Sequence, residues 1–387
     1  MGVYDLIATA TFGLESIVAR EVRRLGYENV TTENARVIFQ GDEEAICRCN
    51  LWLRSADRVF IRMGEFPAHS FEELFERTKA LPWGDILPEN ANFPVQGKSV
   101  RSKLFSVPDC QAIVKKAIVE KMKLKYKRDW FEEDGPRFAI EVGLLKDIAT
   151  LTIDTSGAGL HKRGYRRTAG DAPLKETLAA AMVDLSFWNP DRVLLDPMCG
   201  SGTIAIEAAL IGRNMAPGLM RRFASQEWPF MPSSLWNKAR EEAREAIDKS
   251  REFRILASDL DGRVLRTARY NAELAGVEDF IAFQTLPLQE ISSKKKYGCM
   301  ITNPPYGERL GEQREAESLY REMGEVCKKL DTWSFYVLTP HKSFESLFGR
   351  KADRKRKLYN GRIQVDYYQF YGPRPPRRTA GNTEEES

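Results

Sequence analysis

The chain has 387 residues, 42% of them hydrophobic and 29% charged, and its 59 basic and 55 acidic residues leave a net charge of +4. This length predicts two or three domains, and the composition excludes disordered and fibrous proteins. The six cysteines lack C-x-x-C spacing and the three histidines are far apart, so we expect neither a disulfide framework nor a metal centre. No apolar run is long enough to span a membrane. We therefore expect a cytoplasmic protein without a secretory signal or a membrane span.

The first 65 residues alternate strand and helix patterns. Strands are predicted at residues 5–9 and 37–39, and amphipathic helices at 15–25 and 43–53. This alternation predicts a small α+β unit over residues 1–65.

Residues 66–155 predict a second α+β unit. Its predicted elements are helices at 71–81 and 109–125 and strands at 93–99, 137–145 and 147–154. The segment 96–130 carries ten basic residues against three acidic ones, and five of the basic residues lie on the second helix.

Two further basic runs lie at residues 162–167 and 350–378. One such run alone is typical of a solvated helix face or a tail. Three runs favour a polyanionic partner, because clustered Lys and Arg release counterions from phosphates. The candidate contacts to such a partner are Lys115, Lys121, Lys123, Lys125, Lys162, Arg163 and Arg166.

Frequent glycines over residues 156–170 predict a linker. A long helix is then predicted at 175–188, and the alternating strands and helices that follow predict a parallel α/β domain over 171–378. The acidic segment 379–387 is expected to be a disordered tail.

The first strand of the α/β domain, residues 192–196, leads through a glycine-rich turn into a helix at 204–211. Backbone without side chains permits close approach of a ligand, and the helix N-terminus offers free N–H groups. The third glycine of the dinucleotide-binding fingerprint is missing, and the absence of Gly-Lys-Ser/Thr excludes a P-loop. An ordinary tight turn is the alternative. The candidate cofactor-binding residues are Asp196, Pro197, Cys199, Gly200, Ser201, Gly202 and Thr203.

A second strand, residues 255–258, ends in two candidate ligands of ribose hydroxyls, Asp259 and Asp261. Asp261 is also a candidate N-cap for the next helix, and both roles are compatible. The intervening insertion, residues 212–249, contains four aromatic residues and is a candidate cover for the cofactor or the substrate.

The predicted strand 297–302 runs into Asn303, Pro304, Pro305 and Tyr306. The two prolines make the turn rigid. The Asn303 side-chain oxygen and the Pro304 carbonyl can both accept hydrogen bonds from one NH2 group, and Tyr306 offers a ring for base stacking. This turn is suited to methylation of a planar exocyclic amine, which needs neither histidine nor metal.

Together, the segments LDPMCGSGTIAIEAA, SDLD and NPPYGERL resemble class I S-adenosylmethionine-dependent amino-methyltransferases. GLHKRGYR, APLKETLAAA and RNMAPGL resemble the bacterial THUMP-domain RNA guanine-N2 methyltransferases, which include 23S rRNA and tRNA enzymes. The resemblance implies an α/β fold with a Rossmann-like class I methyltransferase domain, preceded by ferredoxin-like (1–65) and THUMP (66–155) units.

By this resemblance, Asp196, Gly200 and Gly202 line the methionine end of S-adenosylmethionine and Asp259 binds its ribose. Asn303, Pro304 and Tyr306 hold the target base. The family's usual acid at the adenine amine is missing, and Gln289 or Glu290 is the candidate replacement.

The resemblance favours guanine N2 as the methyl acceptor, with 23S rRNA preferred to tRNA as the substrate. The turn also suits adenine-N6 methylation of DNA and methylation of a protein glutamine amide. A fourth hypothesis is an RNA-binding assembly factor with an inactive methyltransferase domain. The basic runs argue against the protein substrate, and the intact segments argue against inactivity.

Overall fold

A computed structural model describes residues 2–166, 174–307 and 310–376. The predicted tail (379–387), the end of the predicted linker (167–170) and both ends of the predicted α/β domain (171–173 and 377–378) lie outside these ranges. The chain forms two compact units. The first unit comprises residues 1–167, 175–181 and 213–249, and the second unit comprises the rest.

The elements up to residue 166 are β1 (Tyr4–Ala10), α1 (Glu15–Arg24), β2 (Thr31–Glu33), β3 (Arg36–Gly41), α2 (Glu43–Trp52), β4 (Ala56–Pro67), α3 (Phe71–Ala80), α4 (Trp83–Ile86), β5 (Val95–Val100), α5 (Val107–Tyr126), β6 (Ile140–Leu145) and β7 (Ile148–Asp154). The later elements are α6 (Glu176–Asp184), β8 (Leu194–Asp196), α7 (Thr203–Gly212), α8 (Ser233–Glu245), β9 (Ile255–Asp259), α9 (Gly262–Leu274), β10 (Ile281–Thr285), β11 (Cys299–Thr302), α10 (Leu310–Lys329), β12 (Ser334–Thr339), α11 (Phe344–Phe348), β13 (Arg354–Asn360) and β14 (Ile363–Phe370). None of the described helices is both long and apolar enough to cross a bilayer.

One seven-stranded sheet runs through the first unit, in the order β2-β3-β1-β4-β7-β6-β5. The 12-residue strand β4 pairs with β1 through its first half and with β7 over most of its length, with a bulge between Arg62 and Gly64. The predicted boundary between residues 65 and 66 therefore lies inside a strand, and the two predicted α+β units share one sheet. Both β2 and β4 were absent from the sequence-based elements.

The second unit contains a seven-stranded sheet in the order β10-β9-β8-β11-β12-β14-β13. The first five strands of this order are parallel, and β14 is antiparallel to both of its neighbours. The strand order reverses at β8, which pairs with β9 on one side and β11 on the other. In parallel α/β sheets this reversal opens a crevice at the carboxyl ends of the strands, where ligands bind.

The insertion is part of the first unit. The Trp228 ring stacks on Phe138 with centroids 4.6 Å apart, and its Nε1 donates a hydrogen bond to the Arg137 carbonyl at 3.0 Å. Phe223 stacks on Trp236 at 5.2 Å, and all four of these rings are buried. These aromatic side chains are therefore core of the first unit, and the expectation that the insertion covers the cofactor or the substrate is wrong for them.

Trp228→Ala should lower the free energy of unfolding of the first unit by about 3–5 kcal/mol, because it removes a buried ring from a packed core. Trp130→Ala is the matched control: its ring is 80% exposed, and we expect a change within about 0.5 kcal/mol. Urea unfolding followed by circular dichroism measures both. Unchanged stability of the Trp228 variant together with weakened cofactor binding would mean that the ring covers the site after all.

Candidate active site

Three predicted site segments meet at the carboxyl ends of neighbouring parallel strands. Asp196 ends β8, Asp259 ends β9 and Asn303 follows β11. The pairing of β8 with both other strands fixes this arrangement, because parallel neighbours end at the same edge of a sheet.

Asp196 is the most deeply buried acid of the site, at 1% exposure. Its Oδ1 accepts hydrogen bonds from the Thr302 hydroxyl at 3.0 Å and from the Met198 backbone N–H at 3.4 Å. Its pKa is raised to about 7, chiefly by burial and to a smaller extent by the charge of Asp259, although these two hydrogen bonds act in the opposite direction. The carboxyl group is thus held near the midpoint of its titration at neutral pH.

The Asp259 carboxylate organises the glycine loop. Its Oδ2 accepts the Gly200 N–H at 3.0 Å and its Oδ1 accepts the Asp261 N–H at 3.1 Å. Gly200 has φ +51°, and an added Cβ there would meet no protein atom within 4 Å, so the backbone is open to a ligand. Gly202 has φ +82° and its added Cβ would lie 3.1 Å from Ala268, so it permits close packing of α9.

The other predicted loop residues lie in the same turn. The Cys199 N–H donates to the Ser258 carbonyl at 2.9 Å, and the Ser201 carbonyl accepts the Asn271 amide at 3.1 Å. Pro197 is buried behind the turn, as is Thr203 at the start of α7. Backbone hydrogen bonds at Cys199 and Ser201 thus hold the loop in place, whereas the backbone at Gly200 faces open space.

Asp261 and Gln289 have other partners. Asp261 caps α9 by accepting the Arg263 N–H at 2.8 Å, and the Arg263 guanidinium lowers the pKa of its carboxyl group. The Gln289 amide donates to Glu322 on α10 at 2.5 Å. The register of β10 pairs Thr285 with Asp259, and the Leu286 N–H donates to the Asp259 carbonyl at 3.3 Å. The adenine contact at Gln289 or Glu290 stays a prediction.

The turn after β11 is held by side chains from elsewhere in the second unit. The Tyr306 hydroxyl donates to Asn303 Oδ1 at 2.7 Å, and it accepts a long hydrogen bond from the Asn360 amide at 3.4 Å. Tyr320 on α10 donates to the Pro305 carbonyl at 3.2 Å. Pro304 is buried, Asn303 and Tyr306 are half-buried, and Pro305 is exposed.

Sequence reasoning missed three residues that hold this site: Thr302, Tyr320 and Asn360. Thr302 directly precedes Asn303, so its position at the strand end was a usable signal. Tyr320 and Asn360 come from distant parts of the chain, and only the packing of α10 and the β13–β14 hairpin brings them to the turn.

Two predicted RNA contacts in the linker are part of the fold instead. Arg163 is 2% exposed, and its guanidinium donates to the Leu160 carbonyl at 2.8 Å. Arg166 forms an ion pair with Glu176 at 3.2 Å, with its side chain 11% exposed. Because both guanidinium groups are buried and paired within the first unit, we withdraw them as RNA contacts.

Three of the four predicted lysines of α5 also have partners. Lys115 Nζ lies 2.5 Å from the Glu133 carboxylate, so it too is a structural residue. Lys123 pairs with Glu120 at 3.0 Å, and Lys125 donates to a backbone carbonyl although its side chain is exposed. The remaining predicted contacts are Lys121, which is half-buried, and Lys162, which is exposed.

The donor set fits a ligand of defined chemistry. Two neighbouring acids, one of them buried, favour a ligand that brings a positive charge and hydroxyl donors. The open backbone at Gly200 admits that ligand close to the sheet edge. Beside it, the half-buried Asn303 presents an amide oxygen that suits an NH2 group.

Known proteins share this architecture along almost the whole chain. The chain matches the RMKL-like methyltransferase domain family over residues 163–369, the RlmL ferredoxin-like domain over 5–60 and the THUMP domain over 68–154. YpsC of Bacillus subtilis (strain 168), named as a candidate RNA methyltransferase, is 54% identical over 99% of this chain and 100% of its own. The predicted fold class and family are confirmed.

Two solved structures extend the comparison. A protein of Listeria monocytogenes, described as a predicted N6-adenine-specific DNA methylase, is 54% identical with a TM-score of 0.93, covering 96% of this chain and 97% of that one. SMU.472, described as a candidate methyltransferase complexed with SAH, is 49% identical with a TM-score of 0.92, covering 97% and 100% of the two chains.

Asp196→Asn should stabilise the protein above neutral pH. Unfolded Asp196 ionises near pH 3.8, but in the fold it stays protonated up to about pH 7. The unfolded state is therefore favoured increasingly between these values, and stability falls as pH rises through this range. The neutral amide of the Asn variant avoids this loss in the free energy of unfolding, which amounts to roughly 2–4 kcal/mol above pH 7.

Thermal unfolding at about pH 5 and about pH 8 tests this prediction, since the gain in stability from Asp196→Asn must be larger at the higher pH. Asp261→Asn is the control: it changes the same atoms in an acid whose pKa is lowered, so no stabilisation is expected. Equal gains for Asp196→Asn at both pH values would show that the wild-type carboxyl group does not titrate in this range.

Proposed function

The chain belongs to the RMKL-like methyltransferase family with RlmL-type ferredoxin-like and THUMP domains, and we propose that it transfers a methyl group from S-adenosylmethionine to N2 of a guanine in RNA. The observation that carries this proposal is the juxtaposition of the acid pair with the Asn303 turn at the ends of β8, β9 and β11. This arrangement supports an electrophile site beside an amine site.

The cofactor would be held by the groups already described. S-adenosylmethionine supplies a methyl group activated by a sulfonium. The Asp196 and Asp259 carboxyl groups favour its positive charge and its ribose hydroxyls, and Gly200 leaves its backbone accessible. The SAH complex of SMU.472, at 49% identity, supports the same cofactor for this chain.

The protein's part in the transfer is to prepare the amine. The lone pair of an exocyclic amine is delocalised into the base and is a poor nucleophile. Hydrogen bonds from its two hydrogens to Asn303 Oδ1 and the Pro304 carbonyl hold the nitrogen and localise the lone pair toward the methyl group. The Tyr306 hydroxyl occupies one lone pair of Asn303 Oδ1, and the other is available to the amine.

RNA is the proposed substrate because of the first unit. A THUMP domain spans residues 68–154, and YpsC is named as a candidate RNA methyltransferase. Guanine N2 and 23S rRNA, in preference to tRNA, follow from the segment resemblance, and we expect the enzyme to act in the cytoplasm. The Listeria relative is named for adenine in DNA, and that amine fits the same two acceptors.

The substrate is tested with nucleic acid from a strain that lacks the gene. Purified enzyme and S-adenosylmethionine labelled in the methyl group are incubated separately with rRNA, tRNA and genomic DNA, and labelled nucleosides are identified by mass spectrometry. We expect N2-methylguanosine in rRNA. N6-methyladenine in DNA would instead support methylation of adenine in DNA. If no substrate is methylated but the protein still binds RNA, it would be an assembly factor.

Asn303→Ala should abolish methyl transfer, at least a hundredfold in kcat, while cofactor affinity measured by calorimetry stays within about twofold. Tyr306→Phe is the matched variant: it keeps the ring for stacking and removes only the hydroxyl on Asn303. We expect it to lose no more than about tenfold, since the amine acceptors remain. A large loss of cofactor binding in the Asn303 variant would contradict its assignment to the base.

A further inference from the structure

The strand β13 is the outer strand of the second unit's sheet. Within the described residues it pairs only with β14. Between residues 350 and 362 the chain has seven basic residues and one acidic residue, and four of the basic ones are consecutive, at positions 354–357. A cluster of positive charges therefore lies along the outer edge of the second unit's sheet.

Several of these basic residues are exposed, but one of them already has a partner within the fold. Arg354, Lys357 and Arg362 are exposed in the fold. Lys355 is already paired within the second unit, because its Nζ lies 3.2 Å from the Asp366 carboxylate and 4.8 Å from the centre of the Tyr368 ring.

The hairpin leads directly to the proposed amine site. Asn360 pairs with Ile363, so Gly361 and Arg362 form a two-residue loop, and Gly361 has φ +63°. Such short loops fix the register of a hairpin. The amide of Asn360 at its tip consequently reaches the Tyr306 hydroxyl, at 3.4 Å.

Edge strands often carry charges that prevent pairing with other chains. Lysine is the usual choice for that purpose, whereas this strand also carries two arginines. The strand itself, residues 354–360, carries four basic residues and no acidic one. A single sign is what a polyanion requires, because successive phosphates attract only cations. The purely positive charge and the contact at the tip thus point to one partner.

We propose that β13 and its hairpin tip form the track for the RNA backbone next to the methylated nucleotide, with Arg354, Lys357 and Arg362 contacting phosphates. The track guides a single strand toward Tyr306 and Asn303. This inference rests on the proposed function, since it assumes a nucleic-acid substrate for that turn. It assigns substrate contacts to the catalytic unit in addition to the THUMP domain.

The test is a binding assay with a fluorescein-labelled single-stranded RNA 20-mer, about the length needed to span several phosphate contacts. The variant combines Arg354→Gln, Lys357→Gln and Arg362→Gln. The control combines Lys294→Gln, Lys295→Gln and Lys296→Gln, which remove the same charge from exposed residues before β11, at the opposite end of that strand from Asn303.

Each phosphate contact on a single strand contributes about 0.7 to the slope of log affinity against log salt, so three lost contacts should reduce the slope by about 2. We expect this loss in the hairpin variant and a slope within about 0.5 of wild type in the control. Calorimetry with S-adenosylmethionine verifies that both variants are folded.

A wild-type slope in the hairpin variant would overturn the proposal, as would equal losses in both variants, which would mean that only total charge matters. Tighter binding of the matching single-stranded DNA would overturn the choice of RNA. Because the assay measures binding, a failure of guanine methylation in the transfer experiment would remain distinguishable from a failure of the track.

Discussion

The parallel pairing of β8 with both β9 and β11 is the constraint on which the site depends. Because β8 lies where the strand order reverses, its carboxyl end has a neighbour on each side, and each neighbour supplies one part of the chemistry. The Thr302 hydroxyl, bonded to Asp196 at 3.0 Å, ties the acid of one strand to the residue before Asn303 on the next. A buried hydrogen bond therefore links the proposed cofactor side of the site to its proposed amine side.

The same arrangement has an electrostatic consequence. Asp196 is buried beside Asp259, and both effects raise its pKa to about 7. A carboxyl group in this state is a poor contributor to stability, but it responds strongly to a positive charge placed next to it. Ionised Asp196 therefore lowers the stability of the fold, and a cationic ligand bound next to it would restore that stability. This behaviour is consistent with the proposed cofactor site.

Features encoded by short contiguous segments were predictable from the sequence, and features that depend on distant partners were not. The glycine turn at Gly200 and the strand end at Asn303 lie within single motifs, so their place in the fold followed from local pattern. β4 was missed because its charged residues interrupt the alternation that marks a strand. The aromatic residues of the insertion and Arg163 were misread because their burial depends on contacts with remote parts of the first unit. Lysines on a helix likewise do not reveal from sequence alone which of them are already paired.

The geometry of the amine site also limits what it can select. In the proposed reaction, Asn303 Oδ1 and the Pro304 carbonyl would recognise only two hydrogens on one nitrogen, a feature that guanine and adenine share. The Tyr306 ring, as a stacking surface, is equally tolerant of the base. The turn therefore fixes the type of reaction and leaves the choice of nucleotide to contacts outside it. If the substrate is RNA, as proposed, its selection would then depend on the first unit and on surfaces that lead to the turn. The β13–β14 hairpin is such a surface, because its Asn360 amide contacts the Tyr306 hydroxyl.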